Sequence, residues 1–248
     1  MANADKKGVN TNSNAYTIIY SAVMVVIVAF LLAFVYQTLK DRQDANVALD
    51  KKKQILYSLN IRGLDDDAAA AKYKEVVIKD NVINKNGEVV DDGNKVEDNE
   101  SNGFKLNSAD FKEGKLALYE CKVDGQTKYV IPVYGMGLWG PISGYIALDE
   151  DCQKVFGAYF NHEGETAGLG AEIKDDQSWQ EKFIGKKLFG DDNSKIALSV
   201  EKKVENAECQ VDAVTGATLT SNGVRDMLQD CLAQYMAFFK SKTNNGGN

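Results

Sequence analysis

The chain has 248 residues, with 29 Lys and Arg against 36 Asp and Glu, a formal net charge of −7, one His and four Cys. An acidic chain with no basic stripe, and no aromatics interleaved with Arg or Lys, is not built for nucleic acid, and an anionic membrane surface repels it. A single histidine argues against triads and histidine-rich metal centres, and four cysteines without a C-x-x-C pair argue against zinc or iron–sulfur ligation, so no metal site is expected.

The segment from Ala15 to Tyr36 reads AYTIIYSAVMVVIVAFLLAFVY, and no charge occurs between Lys7 and Lys40. A helix of that length spans the roughly 30 Å hydrocarbon core, which predicts a short N-terminus over 1–14 and one transmembrane helix over 15–36. A signal peptide has an apolar region of about 7–15 residues ending in small residues, which Phe34-Val35-Tyr36-Gln37 does not supply. Tyr16, Tyr20 and Tyr36 stand where interfacial aromatics are expected. Flanking charge leaves the orientation open, because Lys6 and Lys7 precede the span while Lys40, Arg42 and Lys51-Lys52-Lys53 follow it.

Helical spacing at Leu39, Val47, Leu49, Ile55 and Leu56 predicts a stalk over 37–63. A second helix is expected from the acids Asp65, Asp66 and Asp67 through Lys74, since acids suit a first turn. The pattern then turns to strands at Val76-Val77-Ile78, Val82-Ile83 and Glu88-Val89-Val90, with Asn86-Gly87 as a hairpin turn. Residues 91–103 read as a solvated loop. Its acids Asp91, Asp92, Glu97, Asp98 and Glu100 lack the spacing of a calcium loop. Further strands are expected over 117–123, 128–133, 144–148 and 154–161, broken by Asp124-Gly125 and the glycine-rich segment around Trp139. Residues 183–188 and 196–200 add helix-turn or strand pieces, and Trp179 reads as core. The class is α+β: one transmembrane helix, then a curved, mostly antiparallel sheet flanked by helices over 64–240, and a disordered tail over 241–248.

The chemistry concentrates in Asp212-Ala213-Val214-Thr215-Gly216-Ala217-Thr218-Leu219-Thr220-Ser221. It is a hydroxyl-rich turn ahead of a helix whose apolar face is Val224, Met227, Leu228, Cys231, Leu232, Tyr235, Phe238 and Phe239. Gly216 permits close backbone approach, and the helix aims its N–H groups and positive dipole end at the same spot, which suits a phosphate. Thr220 or Ser221 also fits an N-cap, so composition alone reads first as a helix start with no ligand.

The string Asp212-x-x-Thr215-Gly216-Ala217-Thr218 resembles the flavinylation sequence of the FMN-binding domain family. Two further strings, Tyr134 to Leu148 and Asn161 to Ile173, resemble segments of the C subunit of the Na+-translocating NADH:quinone oxidoreductases. One departure is Ala167, where many relatives carry proline. The resemblance implies FMN attached through a phosphoester to Thr218 by an FMN transferase, with Asp212, Thr215, Gly216, Ala217, Leu219 and Thr220 around the link. It also implies that Glu165 and Thr166, with Gly168 and Gly170, lie near the ring or the phosphate, and that Leu138, Trp139 and Leu169 pack on the flavin face. His162 would stand close by, beside Glu163 and Glu165.

The same resemblance implies a bacterial inner-membrane protein with a short cytoplasmic N-terminus and an extracytoplasmic FMN-binding domain. It would relay electrons from an iron–sulfur subunit to another flavin subunit on the way to quinone, in a membrane respiratory complex of several subunits that exports Na+. The related G subunit of the Rnf ferredoxin:NAD+ oxidoreductase is the alternative within the class, and a flavin-free membrane-tethered scaffold is the alternative outside it. No G-x-G-x-x-G follows a strand, so NADH is not expected to bind here, and no catalytic acid–base residue is expected. The membrane segment lacks an ionisable residue to mark an ion path. An extracytoplasmic domain permits disulfides, but pairing among Cys121, Cys152, Cys209 and Cys231 is not deducible from sequence.

Overall fold

Helix α1 runs unbroken from Asn14 to Ser58 in the computed structural model, joining the expected membrane span and stalk into one element. The structure describes residue 11 and residues 13–93, 102–190 and 193–245. Lys6 and Lys7, the loop acids Glu97, Asp98 and Glu100, and tail residues 246–248 lie outside the described residues. The chain divides into two units, Met1–Ala48 and Leu49–Asn248, so the second begins well before residue 64. In the first unit every residue from 17 to 47 is exposed. Among the described residues α1 is the one helix long and apolar enough to cross a membrane, and so large a bare apolar surface calls for lipid rather than water.

In the second unit the last turns of α1 bury Ile55 and Leu56, and Leu59 just past its end is buried too. Helix α2 (Asp66–Val76) starts at an Asp65 cap whose side chain accepts from Ala68 N at 2.8 Å, as the acidic first turn predicts. Strands β1 (Val77–Ile83) and β2 (Val89–Asp91) join through the Asn86-Gly87 turn, with Gly87 in the left-handed region at φ +78°. Short helices α3 (Asn102–Lys105) and α4 (Ser108–Lys112) follow, the latter with a reciprocal Asn107/Asp110 capping box.

Strands β3 (Leu116–Val123), β4 (Gln126–Met136), β5 (Pro141–Asp149) and β6 (Val155–His162) complete a six-stranded sheet of order β2-β1-β3-β4-β5-β6. Every neighbouring pair is antiparallel. Strands β4 and β5 extend beyond the expected 128–133 and 144–148, pairing out to Met136 opposite Pro141. Glycines there weaken the strand signal, while the partner strand supplies the ladder and Pro141 takes the first position, where proline is tolerated. Helices α5 (Glu172–Asp175) and α6 (Gln177–Glu181) and the parallel pair β7 (Ser199–Glu201) and β8 (Gln210–Asp212) lead into α7 (Thr218–Ala233) and α8 (Met236–Asn245).

The core lies between the sheet and the last two helices. Ile131, Val133, Ile146 and Phe160 share one buried cluster with Val224, Leu228, Leu232 and Phe239. Trp179 is core as expected, packed on Phe160 and Phe183 with ring centroids 5.5 and 5.3 Å away. Two corrections concern the C-terminus. The single expected helix is two, broken at Gln234 and Tyr235, although all eight residues of its apolar face are buried. Residues 241–245, expected to be disordered, continue α8: Thr243 Oγ1 donates to Phe239 O at 3.1 Å and accepts from Gln153 Nε2 at 2.7 Å, and the Lys242 ammonium sits 4.6 Å over the Tyr129 ring. All four cysteines are free thiols and buried.

Candidate flavin-attachment site

Three segments meet at one end of the β4–β5 hairpin. The first is the turn from Gly137 to Gly140, closed by Gly137 N donating to Gly140 O at 2.8 Å, which leaves Leu138 and Trp139 exposed. The second follows β6. There the Thr166 carbonyl accepts from Leu169 N at 3.1 Å and Ala171 N at 3.0 Å, with Gly168 at φ +71° and Leu169 exposed. The third is the turn after β8, where Gly216 at φ +78° carries the chain into α7. A Cβ on Gly216 would fall 2.9 Å from Leu169 Cδ2, so the second and third segments lie close together there.

Glu165 joins all three segments. Its carboxylate accepts from Trp139 N at 2.8 Å through Oε1 and from the Thr220 hydroxyl at 2.6 Å through Oε2. Its own N–H donates to His162 Nδ1 at 3.2 Å. Glu165 is 8% exposed and Thr220 is 1% exposed, so these bonds are shielded from water and are of the stronger, charge-assisted kind.

Helix α7 is seated on the end of β4 through glycines. A Cβ on Gly135 would lie 2.6 Å from Met227 Cβ, and one on Gly223 would lie 3.3 Å from Gly137 Cα and closer still to the Met136 carbonyl. Gly223 and Met227 are one helical turn apart and therefore occupy one face. Sequence reasoning missed Gly137 and Gly223, although a lone glycine inside the α7 pattern is a signal of close approach.

The helix start differs from the expected one. Helix α7 begins at Thr218 with Ala217 at the cap position and no side-chain cap. Neither Thr220 nor Ser221 caps it: the Thr220 hydroxyl is taken by Glu165, and Ser221 Oγ accepts from Val214 N at 3.1 Å, fastening the preceding turn. Thr215, Gly216, Thr218 and Leu219 are exposed and Ala217 is buried. The Thr218 hydroxyl therefore stands at an uncapped helix N-terminus, where orphan N–H groups and the dipole favour an anion. Asp212 is exposed and paired with Lys182 Nζ at 2.9 and 3.1 Å, while its carbonyl accepts from Trp179 Nε1 at 2.8 Å. Thr166 and Gly168 are exposed on the second segment, and Gly170 is buried against Glu165 and Thr220.

The three segments also carry exposed apolar side chains: Trp139 is 68% and Leu219 59% exposed, with Leu138 and Leu169 exposed as well and Met136 exposed at the end of β4. An exposed hydroxyl, a helix N-terminus without a side-chain cap and nearby exposed apolar side chains are chemically suited to a phosphate and a flat aromatic ring. A cavity of about 700 Å³ lined by Lys128, Tyr129, Asp149 and Lys242 lies at the opposite end of the β4–β5 hairpin. Lys128 there is paired with Asp149 at 2.6 Å. Among the described residues no group of three or more His, Cys, Asp or Glu is placed to hold a metal ion.

Residues 137–233 match the FMN-binding domain family. That range covers all three segments. The chain is 33% identical to the C subunit of the Na(+)-translocating NADH-quinone reductase of Vibrio anguillarum, over 84% of this chain and 87% of the relative. It is 30% identical to the same subunit of Haemophilus ducreyi, over 94% and 96% of the two chains. The crystal structure of the corresponding subunit from Parabacteroides distasonis superposes with a TM-score of 0.73 at 36% identity, covering 81% of this chain and 96% of that one.

Proposed function

The chain belongs to the C-subunit family of the Na(+)-translocating NADH-quinone reductases, and from that premise we propose that it carries one FMN esterified to Thr218 and relays electrons between an iron–sulfur subunit and a second flavin subunit. It is a flavin subunit of a membrane-associated, multi-subunit oxidoreductase. The observation that carries the covalent reading is the exposed Thr218 hydroxyl at the uncapped start of α7, next to an apolar rim on two neighbouring segments.

Thr218 Oγ forms the new bond to phosphorus, its proton leaves, and the chain gains one FMN less one water. Ester formation from free FMN is uphill in water, so the donor is a flavin nucleotide with a phosphoanhydride bond, broken by a dedicated FMN transferase as the nucleoside monophosphate departs. The first N–H groups of α7, which have no side-chain cap, would hold the phosphodiester charge, worth roughly 0.3–1 kcal/mol or more where partly buried. When bound, FMN would supply one-electron transfer between an iron–sulfur centre and a second flavin. Leu138, Trp139, Leu169 and Leu219 exclude water from the ring, and Asp212, Thr215, Gly216, Ala217 and Thr166 shape the turns on either side.

The domain from Leu49 onward lies outside a bacterial inner membrane, with the N-terminus cytoplasmic; a long translocated domain crosses largely regardless of its flanking charge. Sodium passage belongs to partner subunits, because the apolar part of α1, up to Lys40, carries no Asp, Glu, Lys, Arg or His. Relatives matched over most of their length favour the quinone reductase over the Rnf reading.

The test is to produce the full chain together with the transferase and measure intact mass and in-gel flavin fluorescence after denaturation. The wild type gains the mass of FMN less water on the Thr218 peptide, and Thr218→Ala gains nothing while keeping its fold. An unmodified wild type beside a modified control acceptor would leave the scaffold reading standing.

A further inference from the structure

We propose that Glu165 is a positioning residue for flavin attachment, acting as a clamp rather than as a flavin ligand; this rests on the reading of Thr218 as the acceptor. Both carboxylate oxygens are committed within the protein, Oε1 to Trp139 N at 2.8 Å and Oε2 to the Thr220 hydroxyl at 2.6 Å. The residue is 8% exposed, which leaves little of it to meet a ligand. A buried carboxylate is costly unless its acceptor sites are filled, so these two bonds are obligatory wherever Glu165 is buried. Each comes from a different segment, and the sequence separations are 26 and 55 residues.

The surroundings keep the clamp closed. A Cβ on Gly137 would lie 3.0 Å from the Glu165 carboxyl carbon, and one on Gly170 would lie 2.6 Å from Thr220 Oγ1, so any larger residue at either position displaces the carboxylate or its partner. The Glu165 backbone is held in turn by His162 Nδ1. Thr220 is two residues after Thr218 in the same first turn of α7, and Trp139 belongs to the exposed apolar rim. One carboxylate thus sets the height of the acceptor turn against the wall that receives the ring, before any flavin arrives. The side chain matters for the two segments it bridges, not because it faces the cofactor.

The geometry makes a specific demand on the conservative variant. In Glu165→Gln the amide oxygen still accepts from Trp139 N, and the amide nitrogen donates to Thr220 Oγ1, so the bridge survives without the charge. Glu165→Ala opens it, and Thr220→Val removes one of its two bonds with little change of shape. The full chain and each variant would be incubated with transferase and its flavin-nucleotide donor. Initial attachment rates would be read by intact mass, with thermal unfolding as the folding control. Because a displacement of about 1 Å costs on the order of 100-fold in a positioned reaction, Glu165→Ala and Thr220→Val are expected to attach flavin roughly 10- to 100-fold more slowly, while Glu165→Gln keeps the wild-type rate.

A Glu165→Gln protein as slow as Glu165→Ala would assign the role to charge and overturn the clamp. A folded Thr220→Val protein with the wild-type rate would overturn it too, and stands as the test if Glu165→Ala does not fold. If the wild type takes no flavin while a control acceptor does, the assignment of Thr218 fails and the clamp falls with it. If the wild type and Glu165→Ala are modified equally fast, only the clamp falls.

Discussion

Replacing Gly223 by alanine sets two effects of known sign against each other. Inside a helix, alanine is favoured over glycine by about 1 kcal/mol, so α7 taken alone predicts a more stable protein. Against β4 the outcome reverses: the added Cβ would approach the Met136 carbonyl oxygen to under 3.0 Å, with the carbonyl carbon at 3.2 Å and Gly137 Cα at 3.3 Å. An ordinary C···O contact is about 3.3–3.6 Å. The obstacle is backbone, which no rotamer change relieves, and the next turn of α7 is equally tight, because Met227 Cβ occupies the space a Gly135 side chain would need. Overpacking of this kind costs about 1–3 kcal/mol, and the upper end applies where the blocking atoms are main chain. Subtracting the helical gain leaves a net loss of about 2 kcal/mol, which lowers the Tm of a chain this size by roughly 4–8 °C. Circular dichroism of the full chain in detergent micelles reads this directly. Gly168→Ala is the control: its Cβ meets nothing within 4 Å and φ is +71°, so only the left-handed backbone cost of about 1–2 kcal/mol remains. A Gly223→Ala protein with an unchanged or raised Tm would refute the argument that glycine contacts seat α7 on β4.

Further outcomes follow from burial and charge. Burial lowers the Lys51 ammonium to about 8, against the raising influence of Asp80 and Asp110, while its Nζ donates to the Phe104 and Leu106 carbonyls. The folded state therefore binds fewer protons than the unfolded state between pH 8 and 10.5. The burial cost is fully present below pH 8 and is relieved as pH rises, so the stability of wild type relative to Lys51→Met should climb from pH 8 to 9 by up to about 1.4 kcal/mol; a flat or falling difference in denaturant titrations contradicts it. Burial pushes the Cys231 thiol up to about 11 and the Cys152 thiol up to about 12. All four thiols are free and buried, so they should resist a thiol reagent at pH 8 and react together on unfolding, and a thiol titrated quickly in the native protein counts against this packing. Trp139→Ala, at a side chain 68% exposed, should change stability by no more than about 0.5 kcal/mol while raising the fluorescence of attached flavin; an unaltered emission removes Trp139 from the ring's surroundings.

Much of the architecture was legible before the fold, for a common reason. The membrane segment, the α2 start at Asp65, the Asn86-Gly87 turn and the buried face from Val224 to Phe239 are each encoded within a few neighbouring residues, as length, a cap, a turn or a period. Where local chemistry was ambiguous the reading slipped. Thr220 and Ser221 have the composition of an N-cap, yet both hydroxyls are spent elsewhere, and the helix begins earlier without a side-chain cap. The polar residues 241–245 lack a local reason to be ordered, and are ordered by Gln153 and Tyr129 from other strands and turns.

The sequence by itself determined an α+β chain with one long apolar helix and a hydroxyl-bearing turn ahead of an amphipathic helix, because periodicity and motif spacing are properties of adjacent residues. Only the tertiary structure decided that Glu165 is a brace, that glycines at 137, 170 and 223 are spaces rather than hinges, and that Thr218 is left outside while Thr220 is drawn in. The bonds responsible join residues 26 and 55 apart in the chain. Such bonds exist only once the sheet has brought the three segments together and excluded water from the carboxylate between them.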